Sequence, residues 1–108
     1  MEYTIENAQR FIGQRVIVGL RDISASGEES FSGLWGIIDS AHEGGLLLRV
    51  EGGIDEEFWM LPPDVDALRP AQFEFYQLEG FDSPVLNVDY EAYYSRAESL
   101  DSLFGRDA

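Results

Sequence analysis

The stretch Phe31-Ser-Gly-Leu-Trp-Gly-Ile-Ile-Asp-Ser-Ala-His-Glu-Gly-Gly-Leu-Leu-Leu-Arg-Val50 decides the fold. It reads as two β-strands, residues 31–39 and 46–50, joined by a polar turn over residues 40–45. Gly33 and Gly36 lie inside the first strand, where glycine marks a sharp bend or the close approach of another backbone. Bends of this kind let a sheet curl far enough to close a small barrel. The second strand is apolar almost throughout, as expected of a strand covered on both faces.

Upstream, residues 15–21 alternate, with Val16, Val18 and Leu20 on one side and Arg15, Ile17, Gly19 and Arg21 on the other. That period of two predicts a half-buried strand. Before it, Thr4 stands as N-cap of a short helix over residues 4–11, with Glu6 in the first turn, Ile5, Ala8 and Phe11 at helical spacing, and Gly13 as its end. Residues 22–30 show no apolar period and read as an external polar loop.

Downstream, Gly52 and Gly53 centre a turn over residues 51–57, and residues 58–61 form a short aromatic strand that Pro62 and Pro63 stop. A 3₁₀ turn over residues 64–67 and a closing strand over residues 68–70 follow. Residues 72–78 and 85–88 predict a hairpin. Tyr90, Tyr93, Tyr94, Ala97, Leu100 and Leu103 then match a helical period, with Asp89 as N-cap and Gly105 as the end. The expected fold is therefore mostly β. It is a small five-stranded barrel with an N-terminal helix over residues 1–71, followed by a C-terminal extension over residues 72–108 made of a hairpin and an amphipathic helix packed on or next to it.

The order helix, strands, 3₁₀ turn, strand is that of the SH3-like and Sm-like small barrels. The run Phe11-Ile-Gly-Gln-Arg-Val-Ile-Val-Gly-Leu-Arg-Asp-Ile23, then Phe31-Ser-Gly-Leu-Trp-Gly-Ile-Ile-Asp39, then Leu46-Leu-Leu48, resembles the first Sm motif. In RNA-binding relatives of that family, an Asp and an Asn in the loop after the bent strand hold a base, and an Arg-Gly pair precedes the last strand. This chain keeps Asp39, but Glu43 stands at the asparagine position beside His42, and Pro63-Asp64 replaces Arg-Gly. These departures argue against the family's usual ligand, because carboxylates without a nearby cation repel phosphate. The resemblance also implies assembly of copies through the strand at residues 58–61, so Phe58, Trp59, Leu61 and Leu68 are the expected oligomer contacts; the alternative neighbour for that edge is the C-terminal extension, whose hairpin and helix could cap it instead.

Charge narrows the partners further. The chain carries 21 acidic residues against seven arginines, a net charge of −14, with 44% apolar residues to build a core. Residues 1–50 hold seven acids and four arginines, net −3; residues 51–108 hold fourteen and three, net −11. Such a surface repels nucleic acid and anionic lipid and attracts basic proteins. Cysteine is absent, which removes disulfides and thiolate chemistry and suits a reducing, cytoplasmic setting. Glu2, Glu6, Arg10 and Arg15 interrupt the first residues, leaving no apolar run for a leader or a membrane span.

The candidate binding groups are Asp39, His42 and Glu43 in one turn, and Glu51, Asp55, Glu56 and Glu57 in the next. No nucleophile with a paired base stands out, and no ordered calcium loop is present, so neither a catalytic residue, a metal nor a cofactor is expected. The reading is a non-enzymatic protein-interaction or assembly module that forms homo-oligomers. Its alternatives are an acidic immunity or antagonist protein that covers a basic nuclease or DNA-binding protein, and a divergent RNA-binding Sm-like protein.

Overall fold

The computed structural model describes residues 2–77 and 82–97. A four-residue helix, α1 (Ile5–Ala8), and a 3₁₀ turn (Gln9–Phe11) lead into strands β1 (Arg15–Ile23), β2 (Glu29–His42), β3 (Gly45–Gly52) and β4 (Phe58–Leu61). A second 3₁₀ turn (Val65–Ala67) precedes four further strands: β5 (Arg69–Pro70), β6 (Phe75–Tyr76), β7 (Val85–Leu86) and β8 (Tyr90–Ala97). Six of these strands form one sheet in the order β4-β3-β2-β1-β8-β5, and β6 and β7 form a separate hairpin.

The local signals act where the sequence places them. Thr4 caps α1, its hydroxyl accepting from Asn7 N at 2.9 Å, and Gly13 turns the chain at φ 89°. Gly13 N and Gln14 O then bond the main chain of Ile38, at 2.8 and 3.0 Å, tying the end of the helix to β2. In β2 the pairing with β3 shifts register between Trp35 and Gly36. A Cβ at Gly36 would lie 2.1 Å from the Arg49 carbonyl oxygen, so only glycine admits this approach of two backbones. The following turn is tighter than expected: β2 runs on to His42, which pairs with Gly45. Gly45 supplies the positive φ, at 137°. Likewise, the polar loop shrinks to residues 24–28, closed by Ser24 N to Glu28 O at 2.8 Å.

The inner face of the sheet carries the core. Val16, Val18, Leu20, Leu34, Ile38, Leu46, Leu48 and Leu61 are buried there with Phe11, Val65, Leu68 and Ala92. The sheet rolls over them until Trp59 of β4 lies 6.0 Å from Tyr94 of β8, although three strands separate β4 from β8 in the hydrogen-bonded order. Phe11 closes the space from the helix side, edge-on to Tyr90 at 5.1 Å. A second, smaller cluster of Ile17, Tyr76 and Val85, flanked by Trp35 and Val88, lies on the outer face under the β6–β7 hairpin.

Two expectations are corrected. The amphipathic helix after Asp89 is a strand as far as it is described: β8 runs parallel to β1 from Val16↔Tyr90 to Ile23↔Ala97, while its expected continuation to Gly105 lies outside the described residues. The reason is visible at Asp89, whose carboxylate accepts from a main-chain N–H as an N-cap should. The donor, however, is Arg15 N at 2.9 Å, and Asp89 N returns a bond to Arg15 O at 2.8 Å. This clamp feeds the chain into the edge of β1, where each residue gains a ladder partner instead of an intrahelical one.

The five-stranded arrangement changes with it. β5 pairs with β8, and the segment after residue 71 supplies a strand inside the sheet and a fully buried core residue, Ala92. The hairpin is where the alternation put it, trimmed to Phe75–Tyr76 and Val85–Leu86, with Phe75↔Leu86 and Tyr76↔Val85 paired.

Candidate functional site

The two acidic segments singled out from the sequence lie at opposite ends of β3. Asp39 is exposed beside the second register shift of β2, between Ile38 and Ser40. His42 is exposed, its Nε2 2.8 Å from Ser40 Oγ, and its carbonyl accepts the Tyr3 hydroxyl at 2.6 Å. Glu43 projects from the turn. The loop with Glu51, Asp55, Glu56 and Glu57 begins at the far end of β3, about 25 Å away at strand rise. The structure does not bring the two segments together into one site.

Nor are the four loop acids equivalent. Glu51 is drawn into the fold: its carboxylate sits 3.3 Å from the Arg15 guanidinium, which also lies over the Trp35 ring at 5.3 Å and donates to Leu86 O at 3.1 Å. Glu51 thereby helps hold the β6–β7 hairpin. Asp55, Glu56 and Glu57 remain exposed, just ahead of β4. Among the described residues, no three His, Asp or Glu side chains are grouped so as to hold a metal ion.

β4 ends the sheet. Of the four expected oligomer contacts, Leu61 and Leu68 belong to the core, at 1% and 7% exposure, and Trp59 packs against it. Phe58 is 39% exposed, and its neighbour on the same face, Met60, is 42% exposed. The outward face of this edge is thus Phe58 and Met60. Alternation alone separated the pair Phe58 and Met60 from Trp59 and Leu61 without saying which pair pointed inward.

A polar group the sequence reading passed over is Glu91, the one charged residue buried among those described, at 7% exposure. It faces outward from β8 and is covered by the hairpin. The Tyr76 hydroxyl donates to its Oε2 and accepts from Gln72 N at 3.0 Å. Burial pushes the Tyr76 hydroxyl pKa upward, and the bond to Glu91 adds to it. The Tyr94 hydroxyl, buried on the inner side, is pushed up to about 12 by desolvation and by the nearby Asp64 carboxylate. The signal for Glu91 was available in principle, as a lone carboxylate among aromatic residues, but it becomes meaningful only once the segment is a strand.

Among the described residues no helix is long and apolar enough to cross a membrane. Comparison with known proteins finds no matching family model, no matching curated protein and no matching solved structure.

Proposed function

We propose that this chain is a non-enzymatic protein-binding and assembly module, a divergent small barrel of the SH3-like, Sm-like kind that joins copies of itself along β4. The observation that carries the reading is the exposed pair Phe58 and Met60 on a strand that ends the sheet. An edge strand offers main-chain donors and acceptors to a neighbour, and apolar side chains on it make that pairing favourable rather than merely available. Asp55, Glu56 and Glu57 stand exposed directly before this edge and leave a negative surface beside it for a basic partner. The lack of cysteine suits work in a reducing compartment.

Light scattering on the purified protein tests the reading. The wild type should form one defined multimer, and Phe58→Glu with Met60→Glu should reduce it to monomer while the circular dichroism spectrum stays unchanged. A monomeric wild type at tens of micromolar sinks the assembly reading.

The acidic-antagonist alternative is favoured by the charge of −14. It differs in its response to salt. Steered association with a basic partner slows steeply as ionic strength rises, whereas an edge contact between two acidic copies holds or strengthens.

A further inference from the structure

Among the described residues, the outer face of the sheet is covered at one end only. Its first cross-strand row, Trp35, Ile17 and Glu91, lies beneath the β6–β7 hairpin. Two residues further along each strand the row is Gly33, Gly19 and Tyr93, and beyond that Phe31, Arg21 and Ser95. Gly33 and Gly19 put no side chain into the middle row, and the Tyr93 ring lies down over Gly19, where a Cβ would meet its Cδ1 at 2.7 Å. The result is a groove of about 380 Å³ lined by Gly19, Arg21, Phe31, Tyr93 and Ser95 among others. Phe31 is 71% exposed and Tyr93 62%, so two aromatic rings are offered to solvent on the uncovered part of this face.

The groove is flanked by carboxylates. At the β1–β2 end the next hollow is lined by Glu28 and Glu29 among others, while Asp22 and Arg96 fall in the inward rows with Leu20 and Tyr94; on the other side of Tyr93 stand Asp64, Asp66 and Arg69. With Arg21 counted, four acids face two arginines, and Arg21 already has an acidic partner, Glu29 at 3.7 Å. The local balance is negative and lies within the field of a chain of net charge −14.

We infer that this groove binds an extended basic segment of a partner protein, with Lys or Arg side chains laid against Phe31 and Tyr93. Aromatic faces attract such cations, and the position at Gly33, which carries no side chain, lets an extended chain lie close to the sheet beside the Tyr93 ring. A second copy of this chain fits less well, because the same acidic flanks would face each other. A phosphate backbone meets the same obstacle. The inference rests on the reading that the chain acts by binding protein, but it places the binding surface on the outer face of β1, β2 and β8 and not on β4.

The test uses a fluorescein-labelled octapeptide of alternating arginine and leucine, and its glutamate counterpart, in anisotropy titrations at 150 mM salt. The full chain should bind the arginine peptide and ignore the glutamate one. Phe31→Ala with Tyr93→Ala, which leaves net charge unchanged, should weaken binding at least tenfold, while Tyr93→Phe retains it. Asp55→Asn with Glu56→Gln and Glu57→Gln should weaken it less than threefold. A thermal midpoint within a few degrees of wild type certifies that each variant is folded, and both truncated rings are largely exposed.

Absence of binding overturns the inference. So does the reverse ranking, with the loop variant crippled and the aromatic variant intact, because the peptide would then be held by unspecific charge. Light scattering separates the two proposals: a multimer that ignores the peptide removes the groove alone, and a monomer that binds it through Phe31 and Tyr93 removes the assembly along β4 alone.

Discussion

β1 and β8 lie side by side in the same sheet, pointing the same way, yet only one of them announces itself. In β1 the inward residues Val16, Val18 and Leu20 are all aliphatic and the outward ones are mixed, so the period of two is plain. In β8 the inward residues are Tyr90, Ala92 and Tyr94 and the outward ones Glu91, Tyr93 and Ser95. The same spacing puts Tyr90, Tyr93, Tyr94 and Ala97 on one side of a hypothetical helix, and that template matches as well as the strand does. The difference teaches that a tyrosine-rich segment carries both periods at once, and that the free edge of β1, clamped by Asp89, decides between them. Three tyrosines within five residues are at home in a strand, which a period count ignores.

If β8 is truly half of a pair with β1, removing it should have the largest effect. A fragment of residues 1–71 contains everything the sequence suggested as a barrel, but it lacks Ala92, Tyr90 and Tyr94 and leaves the outer edge of β1 without its neighbour. The fragment should show no cooperative thermal transition and should bind a hydrophobic dye, whereas the full chain melts as one unit. A cooperative melt from the fragment would restore the division at residue 71 and make β8 an appendage.

The division into legible and illegible follows sequence separation. The helix cap at Thr4, the bend at Gly36, the stop at Pro62 and Pro63 and the 3₁₀ turn after Asp64 depend on neighbours a few residues away, and each is found where its residues stand. The pairing of β8 with β1 joins residues 74 positions apart and has no local signature. The candidate site divides the same way. That Asp55, Glu56 and Glu57 are exposed was legible from charge. That Glu51 belongs to Arg15, and that Met60 rather than Leu61 faces out, depended on contacts made across the sheet.

A smaller effect tests how the outer face of β8 is held. Tyr76→Phe removes the hydroxyl that donates to Glu91 and accepts from Gln72 N, leaving a buried carboxylate short of a donor. A cost of about 1–3 kcal/mol in urea unfolding is expected for stranding such a group. Val85 and the rest of the apolar contact stay in place, so a loss above that range would mean the hairpin detaches as a whole. No loss would show that Glu91 finds its bonds elsewhere.

The smallest effect lies on the inner face and runs in the opposite direction. Among the described residues, the buried Tyr94 hydroxyl has no hydrogen-bond partner, so Tyr94→Phe removes a desolvated polar group while keeping the ring beside Trp59. Stability at neutral pH should hold or rise by up to about 1 kcal/mol. The alkaline limb gives the sharper reading. Tyr94 ionises near 10 in the unfolded chain and at about 12 in the folded one, so between these values the unfolded chain has released a proton that the folded one still holds. Its contribution is whole below pH 10 and disappears as pH climbs toward 12. Wild-type stability should therefore fall across that window, and Tyr94→Phe should fall less steeply, with Tyr3, Tyr76 and Tyr93, whose pKa values are also raised, supplying the remaining slope. Equal slopes in the two proteins would mean that Tyr94 is hydrated, and that the inner face of β8 is wetter than that of β1, where Val16 and Val18 are fully buried.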